Sequence, residues 1–317
     1  MQPVPALHTL VFDCVDAEAM TTTVQHARLD HLQLARGRFR GVVQQARLSA
    51  TRLDRGCYNL PVLTRGPLAP DALTFGYFVH APEGGVLNGR PVRSGDVAAL
   101  AEGGELRFRH APGTEWIAFH VPRPVFERLG VAVPGELHGM QAVSADHRQA
   151  LALAVRELLP AFDGTASAAQ LSMGLDCAQE ALIACCARIL DGLGRKGALP
   201  PLSLPERVRI VRRAEEYMDA HLAEPVRVDS LCLAAGTSLR GLERAFLAVY
   251  GLGPKRYLTL RRLVRARREL RRADTAATVT DVALRWGFLH LGRFAADYRA
   301  QFGETPSETM RQARRAW

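Results

Sequence analysis

The chain has 317 residues, 48% of them hydrophobic and 23% charged, with a formal net charge of +9. That length exceeds one ordinary hydrophobic core, so two domains are expected, and the composition fits a soluble globular protein. No apolar run reaches the roughly 18 residues of a membrane helix, and the opening MQPVPALHTLVFDCVDAEAM lacks a basic region followed by an apolar stretch, so neither a membrane span nor a secretory signal is expected and the protein reads as cytoplasmic. The charge is segregated: acidic and basic residues balance over 1–200, and the whole excess falls on 201–317, almost all of it arginine. A basic domain joined to a neutral one points to a polyanion partner for that domain alone. The cysteines Cys14, Cys57, Cys177, Cys185, Cys186 and Cys232 form no C-x-x-C pair and read as reduced and mostly buried, with a thiol sensor as the alternative.

In chain order, residues 1–30 hold at most a short polar helix around Asp16–Gln25. From His31 to Pro122 the texture is strand-like: apolar and polar residues alternate, LTFGYFV and EWIAFHV are aromatic and branched runs, and NGRP and RSGD supply turns. Many short strands without a long helix suggest a sandwich or small barrel. From about Asp146 the texture turns helical. ADHRQALALAVRELLPAF reads as one helix and SAAQLSMGLDCAQEALIACCARILDGL as a longer one. Leu171, Leu175, Ala178, Leu182, Cys185, Ile189 and Leu193 recur there at steps of three and four, as a core face or a dimer seam. The Gly- and Pro-rich GLGRKGALPPLSLP is the linker candidate. The division is therefore 1–193, a linker over 194–205, and a helical domain over 206–317.

The helical domain repeats one device. Val228, Leu231 and Ala235 form the inner face of a short helix, and Thr237 or Ser238 caps the next one. Leu239, Leu242, Ala245, Phe246 and Val249 read as buried, leaving Ser238, Arg240, Gly241, Glu243 and Arg244 outside. After an Arg-rich linking helix, Thr280 is placed to cap VTDVALRW, with Val282, Ala283 and Trp286 buried. A GF turn follows, then a helix with Leu291, Phe294 and Tyr298 inside and His290, Gly292, Arg293, Ala296 and Asp297 outside. This is the shape of two helix-turn-helix units, over about 226–250 and 278–302. Such units place recognition helices in major-groove segments roughly 34 Å apart. Arg240 and Arg244 suit guanine edges, and Glu243 suits cytosine N4.

EPVRVDSLCLAAGTSLRGLERAFLAVYGLGPKRYLTLRRLVRARREL and VTDVALRWGFLHLGRFAADYRAQFGETPSE together resemble the paired helix-turn-helix domain of AraC/XylS-family transcription regulators. Within that family WGFLHLGRFAADY and, upstream, QLARGRFRGVVQQARL are similar to the ethanolamine-operon regulator subgroup. The resemblance implies an α+β chain with an N-terminal cupin-like β-barrel for effector sensing or dimerisation, flanked by helices, and a C-terminal promoter-binding domain. It implies a cytoplasmic regulator, most often an activator, with double-stranded promoter DNA and RNA polymerase as partners. Its effector would be a small organic molecule, an amine for this subgroup. Base-contact roles carry over onto Arg240, Glu243, Arg244, His290 and Arg293. Relatives have a Ser-like cap where His290 stands and often a polar residue where Gly292 stands, so the second helix is expected to read fewer bases.

The N-terminal half offers no catalytic constellation. His80, His110, His120 and His138 stand singly, never as His-x-His, and no phosphate loop or G-x-S-x-G elbow occurs. Neither a metal, a cofactor nor an enzyme is expected. An organic-effector pocket remains, with Asn59, Phe75, Tyr77, Phe108 and Trp116 as lining or as ordinary core. The rival readings are an architectural DNA binder without effector and a barrel enzyme with a DNA-targeting tail. The oligomeric state, a homodimer included, stays open.

Overall fold

The computed structural model describes residues 6–12, 17, 20, 27–48, 51–134, 137–141, 144–162, 168–195, 206–272 and 277–315. The chain divides into two compact units, Met1–His31 with Arg40–Ser203, and Leu32–Phe39 with Leu204–Trp317. Most of the helix expected around Asp16–Gln25 and the linker beyond Arg195 lie outside the described residues.

The strands are β1 (Ala6–Phe12), β2 (Asp30–Gln33), β3 (Gly41–Arg47), β4 (Arg52–Tyr58), β5 (Val62–Pro67), β6 (Leu73–His80), β7 (Val86–Leu87), β8 (Arg90–Pro91), β9 (Val97–Leu100), β10 (Glu105–His110), β11 (Glu115–Val121) and β12 (His138–Gln141), all within the first unit except Leu32 and Gln33 of β2. They form a seven-stranded sheet, β1-β3-β4-β11-β6-β9-β12, and a five-stranded sheet, β2-β5-β10-β7-β8. The resolved pairings are antiparallel, as short turns between neighbouring strands allow. The expected barrel is not closed among the described residues: two open sheets take its place.

The larger sheet works on both faces. Along β6 and β11 the residues alternate: Phe75, Tyr77, Ile117, Phe119 and Val121 join one core, while Phe78 and Trp116 join another. The first core is covered by α1 (Arg123–Arg128), α2 (Ala145–Phe162) and α3 (Ala168–Arg195), which contribute Phe126, Leu151, Val155, Leu158, Leu182 and Ile189. Of the α3 stripe, Ala178, Leu182, Cys185 and Ile189 are buried in this core, and Leu193 packs against it half-buried. The second core lies between the sheets, where Phe78 and Trp116 meet Leu87 and Phe108 of the smaller sheet.

The second unit contains α4 (Glu206–Ala220), α5 (Val228–Ala235), α6 (Leu239–Tyr250), α7 (Pro254–Leu270), α8 (Val279–Arg285), α9 (Leu291–Phe302) and α10 (Pro306–Arg315). Its first half closes around a buried carboxylate: Glu215 accepts from Tyr250 Oη at 2.8 Å and from Tyr257 Oη. Its second half packs Leu263, Ala266, Val282, Phe294, Tyr298 and Phe302. Buried Arg267 locks that half, reaching Glu304 at 2.8 Å with its guanidinium 4.4 Å from the centre of the Phe302 ring. Residues Leu32–Phe39 belong to this unit, which the sequence did not suggest. Gln33 Nε2 donates to Gln301 O at 3.2 Å, and Gln301 Nε2 donates to Gln33 O and Ala35 O, both at 3.1 Å.

Candidate nucleic-acid interface and ligand cavity

Each helix-turn-helix is set by a glycine turn, and by a side-chain cap on α6 in the first copy and on α8 in the second. Gly236 ends α5 in the left-handed region at φ 64°, where a side chain is strained. Ser238 then caps α6, its Oγ accepting from Gly241 N at 3.2 Å. Gly287, at φ 76°, plays the same part after α8. The cap of α8 is Thr278 rather than Thr280: its hydroxyl accepts from Asp281 N while Asp281 accepts from Thr278 N, a closed capping box. The hydroxyl and backbone N–H of Thr278 hold the Asp281 carboxyl below its ordinary range. His290 stands at the N-cap of α9 and makes no side-chain cap bond.

On α6 the buried residues are Leu242, Ala245, Phe246, Val249 and Tyr250. Ser238, Arg240, Glu243 and Arg244 are exposed, and Gly241 is half-buried. Arg240 and Arg244 make no ion pair among the described residues, so both guanidinium groups are available. Leu239, expected in the core, is 50% exposed, and Leu247 is 54% exposed. Arg240, Glu243, Arg244 and Leu247 fall at i, i+3, i+4 and i+7, one face of a helix. Leu247 was legible in that spacing and was missed. A nearby thymine methyl is the base feature an exposed apolar side chain can meet. Gly241 has an internal reason to be glycine: a Cβ there would fall 2.2 Å from Thr237 Oγ1.

On α9 the buried residues are Phe294, Tyr298, Gln301 and Phe302. His290, Gly292, Arg293 and Ala296 are exposed, whereas Asp297 is half-buried. Leu291 was expected inside and is 41% exposed, and Trp286 is only half-buried, donating to Glu269 Oε2 at 2.8 Å. Asp297 lies 3.8 Å from Arg293 and 3.9 Å from Arg36, so its carboxylate is turned toward cations of the protein. A Cβ on Gly292 would meet nothing within 4 Å. The two helix-turn-helix units are tied by Arg262 of α7. Its Nε donates to Leu222 O at 2.9 Å and its Nη2 to Glu224 O, both in the loop before α5, and its guanidinium carbon lies 3.1 Å from the Cβ position at Gly287. One side chain thus braces the first unit's loop against the second unit's turn.

Between the two sheets of the first unit lies a cavity of about 70 Å³. Of the lining expected from sequence it has Phe108 and Trp116. Phe75 and Tyr77 instead face the helices across the same sheet, and Asn59 sits in a turn, where its Oδ1 accepts from Arg40 N at 2.6 Å. His31, Tyr58, Thr64 and His110 line the cavity and were not singled out as lining. Burial drives the His31 imidazole down to about 4, and burial, with His31 nearby, drives His110 well below its ordinary value, so both are neutral near pH 7. Among the described residues no cluster of His, Cys, Asp or Glu could hold a metal ion, and no helix is long and apolar enough to cross a membrane.

Residues 231–312 match the helix-turn-helix domain family. Over 103 residues the chain is 45% identical to the probable thc operon regulatory protein of Rhodococcus erythropolis, covering 32% of this chain and 31% of that protein. Over 106 residues it is 39% identical to the XylDLEGF operon transcriptional activator of Pseudomonas putida, covering 32% of each. A crystal structure of a probable AraC family transcriptional regulator from Rhodopseudomonas palustris is 42% identical, covering 33% of this chain and 97% of that one with a TM-score of 0.32. The matched stretch spans about a third of these curated relatives.

Proposed function

We propose that the whole protein is a sequence-specific activator of the AraC/XylS type, governed by a small molecule bound in its N-terminal unit; the helix-turn-helix match over residues 231–312 and the likeness of that stretch to operon regulators support this. The observation that carries this is the outer face of α6, where Arg240, Glu243 and Arg244 stand exposed on a Ser238-capped helix. Exposed guanidinium and carboxylate groups at the start of such a helix are the groups that read guanine and cytosine edges in the major groove. Arg262 supports the reading by bracing the two helix-turn-helix units, which favours a fixed spacing of two half-sites.

The N-terminal unit is the sensor in this proposal, a cupin-like role for its two antiparallel sheets. The ligand changes the relative stability of two states that differ in DNA affinity, which requires only different affinity of the ligand for the two. Activation adds contact with RNA polymerase, in the cytoplasm, with the DNA complex formed by one copy or by a homodimer. Of the ethanolamine-operon likeness in WGFLHLGRFAADY we carry forward the regulator architecture. Selection of genomic fragments by the purified protein at two salt concentrations tests the proposal. Recovery of a discrete promoter site at both salts is the expected outcome. Indiscriminate DNA, lost at the higher salt, would show phosphate binding without base readout and would overturn it.

A further inference from the structure

The cavity between the sheets is built by absence of side chains. Ala118 of β11 pairs with Gly76 of β6, which pairs with Ala98 of β9. Three adjacent strands thus present almost no side chain at one level, and the space opens there. Gly56 serves the same end: a Cβ on it would fall 2.3 Å from the Trp116 indole, so only glycine lets the ring lie across β4. The remaining lining is almost wholly apolar, with Leu87 and Phe108 opposite.

Two polar atoms break this apolar surface. Trp116 Nε1 is buried and has no hydrogen-bond partner. His110, 3% exposed, has Nε2 within 3.0 Å of Thr64 Oγ1, but its Nδ1 is likewise unpartnered. The two rings are neighbours, with centroids 6.2 Å apart. A buried polar atom left unpaired loses its hydration without compensation, and native interiors keep few of them. No Asp, Glu, Lys or Arg is among the lining residues. His120 is engaged on both nitrogens, with Thr74 Oγ1 and Asp54 Oδ2 each at 3.0 Å. His31 and His110 are neutral because burial disfavours their charged forms. An ammonium or carboxylate entering here would lose its hydration and meet no opposite charge among the lining residues, since the Asp54 carboxylate is not part of the lining and is held through Oδ2 by His120.

We propose that this cavity binds a small uncharged molecule, mainly apolar, whose single oxygen accepts from Trp116 Nε1 and pairs with His110 Nδ1. On the regulator reading, on which this part rests, that molecule is the effector, in place of the amine implied by the subgroup resemblance. A cavity of about 70 Å³ is well above what a single water requires, so it has room for a small organic molecule of several non-hydrogen atoms.

Calorimetry and thermal unfolding of the full chain with four probes of six heavy atoms each test this: cyclopentanone, methylcyclopentane, cyclopentylammonium and cyclopropanecarboxylate. Cyclopentanone is expected to raise the unfolding temperature and to bind at least tenfold more tightly than either ion. Trp116→Phe, which keeps a ring but removes the N–H, is expected to reduce cyclopentanone affinity about tenfold, toward that of methylcyclopentane. Ala118→Leu, which fills the cavity, is expected to abolish binding of both neutral probes. Equal or tighter binding of an ion, no binding of cyclopentanone, or unchanged ketone affinity in both variants would overturn the proposal. Failure of the regulator reading looks different: cyclopentanone binds as described, and selective retention of promoter fragments does not respond to it.

Discussion

The two recognition helices are built alike inside and differently outside. Aligned from their N-caps, α6 and α9 match through the core: Leu242 with Phe294, Phe246 with Tyr298, Tyr250 with Phe302, each ended by a left-handed glycine, Gly251 or Gly303. Their outer faces diverge. Where α6 carries Arg240, Glu243, Arg244 and Leu247, α9 carries Gly292, Ala295, Ala296 and Arg299. At these four aligned positions the first helix carries three ionised groups and the second one, with Arg293 exposed beside them on α9. Base edges are distinguished by directional donors and acceptors, whereas phosphates are held by positive charge alone. On the regulator reading proposed above, the contrast would give sequence reading chiefly to α6, and to α9 a close approach to the duplex with fewer base contacts.

The strongest way to break the comparison is to remove the frame of one helix. Arg267→Ala leaves Glu304 without its buried partner and should destabilise the α9 half by about 3–5 kcal/mol, seen as an early transition in denaturant unfolding; a loss below about 1 kcal/mol would mean the pair is solvated. Next in size, Arg244→Ala and Arg240→Ala should each cost about 1–3 kcal/mol at one base position in competition binding with single-base variants. A uniform weakening over all sequences, with a shallower salt slope, would instead assign that arginine to phosphate. Glycine substitution sharpens the contrast at smaller scale. Gly292→Ala meets open space and should stabilise the free protein by up to about 1 kcal/mol through helix propensity. Gly241→Ala should gain nothing, because its Cβ would strike Thr237 Oγ1. Thermal melts of the pair give the sign directly. The smallest effect is His290→Ser, which should give α9 the cap that Ser238 gives α6 and add about 0.5–1 kcal/mol to stability.

Much of this contrast was legible in the sequence, because local chemistry decides it. Left-handed glycines at 236 and 287, the Ser238 cap and the 3.6-residue period of α6 need no tertiary information. The errors have physical causes. Leu239 and Leu291 were placed inside by hydrophobicity, but each is the first residue of its helix, where the core does not reach around the end. Thr280 was read as the cap, but Asp281 stands at capping-box distance from Thr278 and not from Thr280. In the sheets, periodicity gave two alternating faces but not which one met the helices. Aromatic content favoured Phe75 and Tyr77 as cavity lining, whereas the cavity lies on the side of Gly76, Ala98 and Ala118, where small residues leave room. Placement of residues Leu32–Phe39 with the helical domain rests on side-chain amides of Gln33 and Gln301, far apart in sequence, and no local pattern signals it.

The measurement that bears most directly on the division between the helices is the base preference of the whole binding site, obtained by selecting DNA fragments with the full-length protein and resolving preference position by position. The account predicts two half-sites about one helical turn apart, with strong preferences, guanine among them, in the half-site that Arg240→Ala or Arg244→Ala relaxes, and weak preferences in the other. Equal preference in both half-sites, or a site in which neither arginine variant relaxes any position, would contradict it.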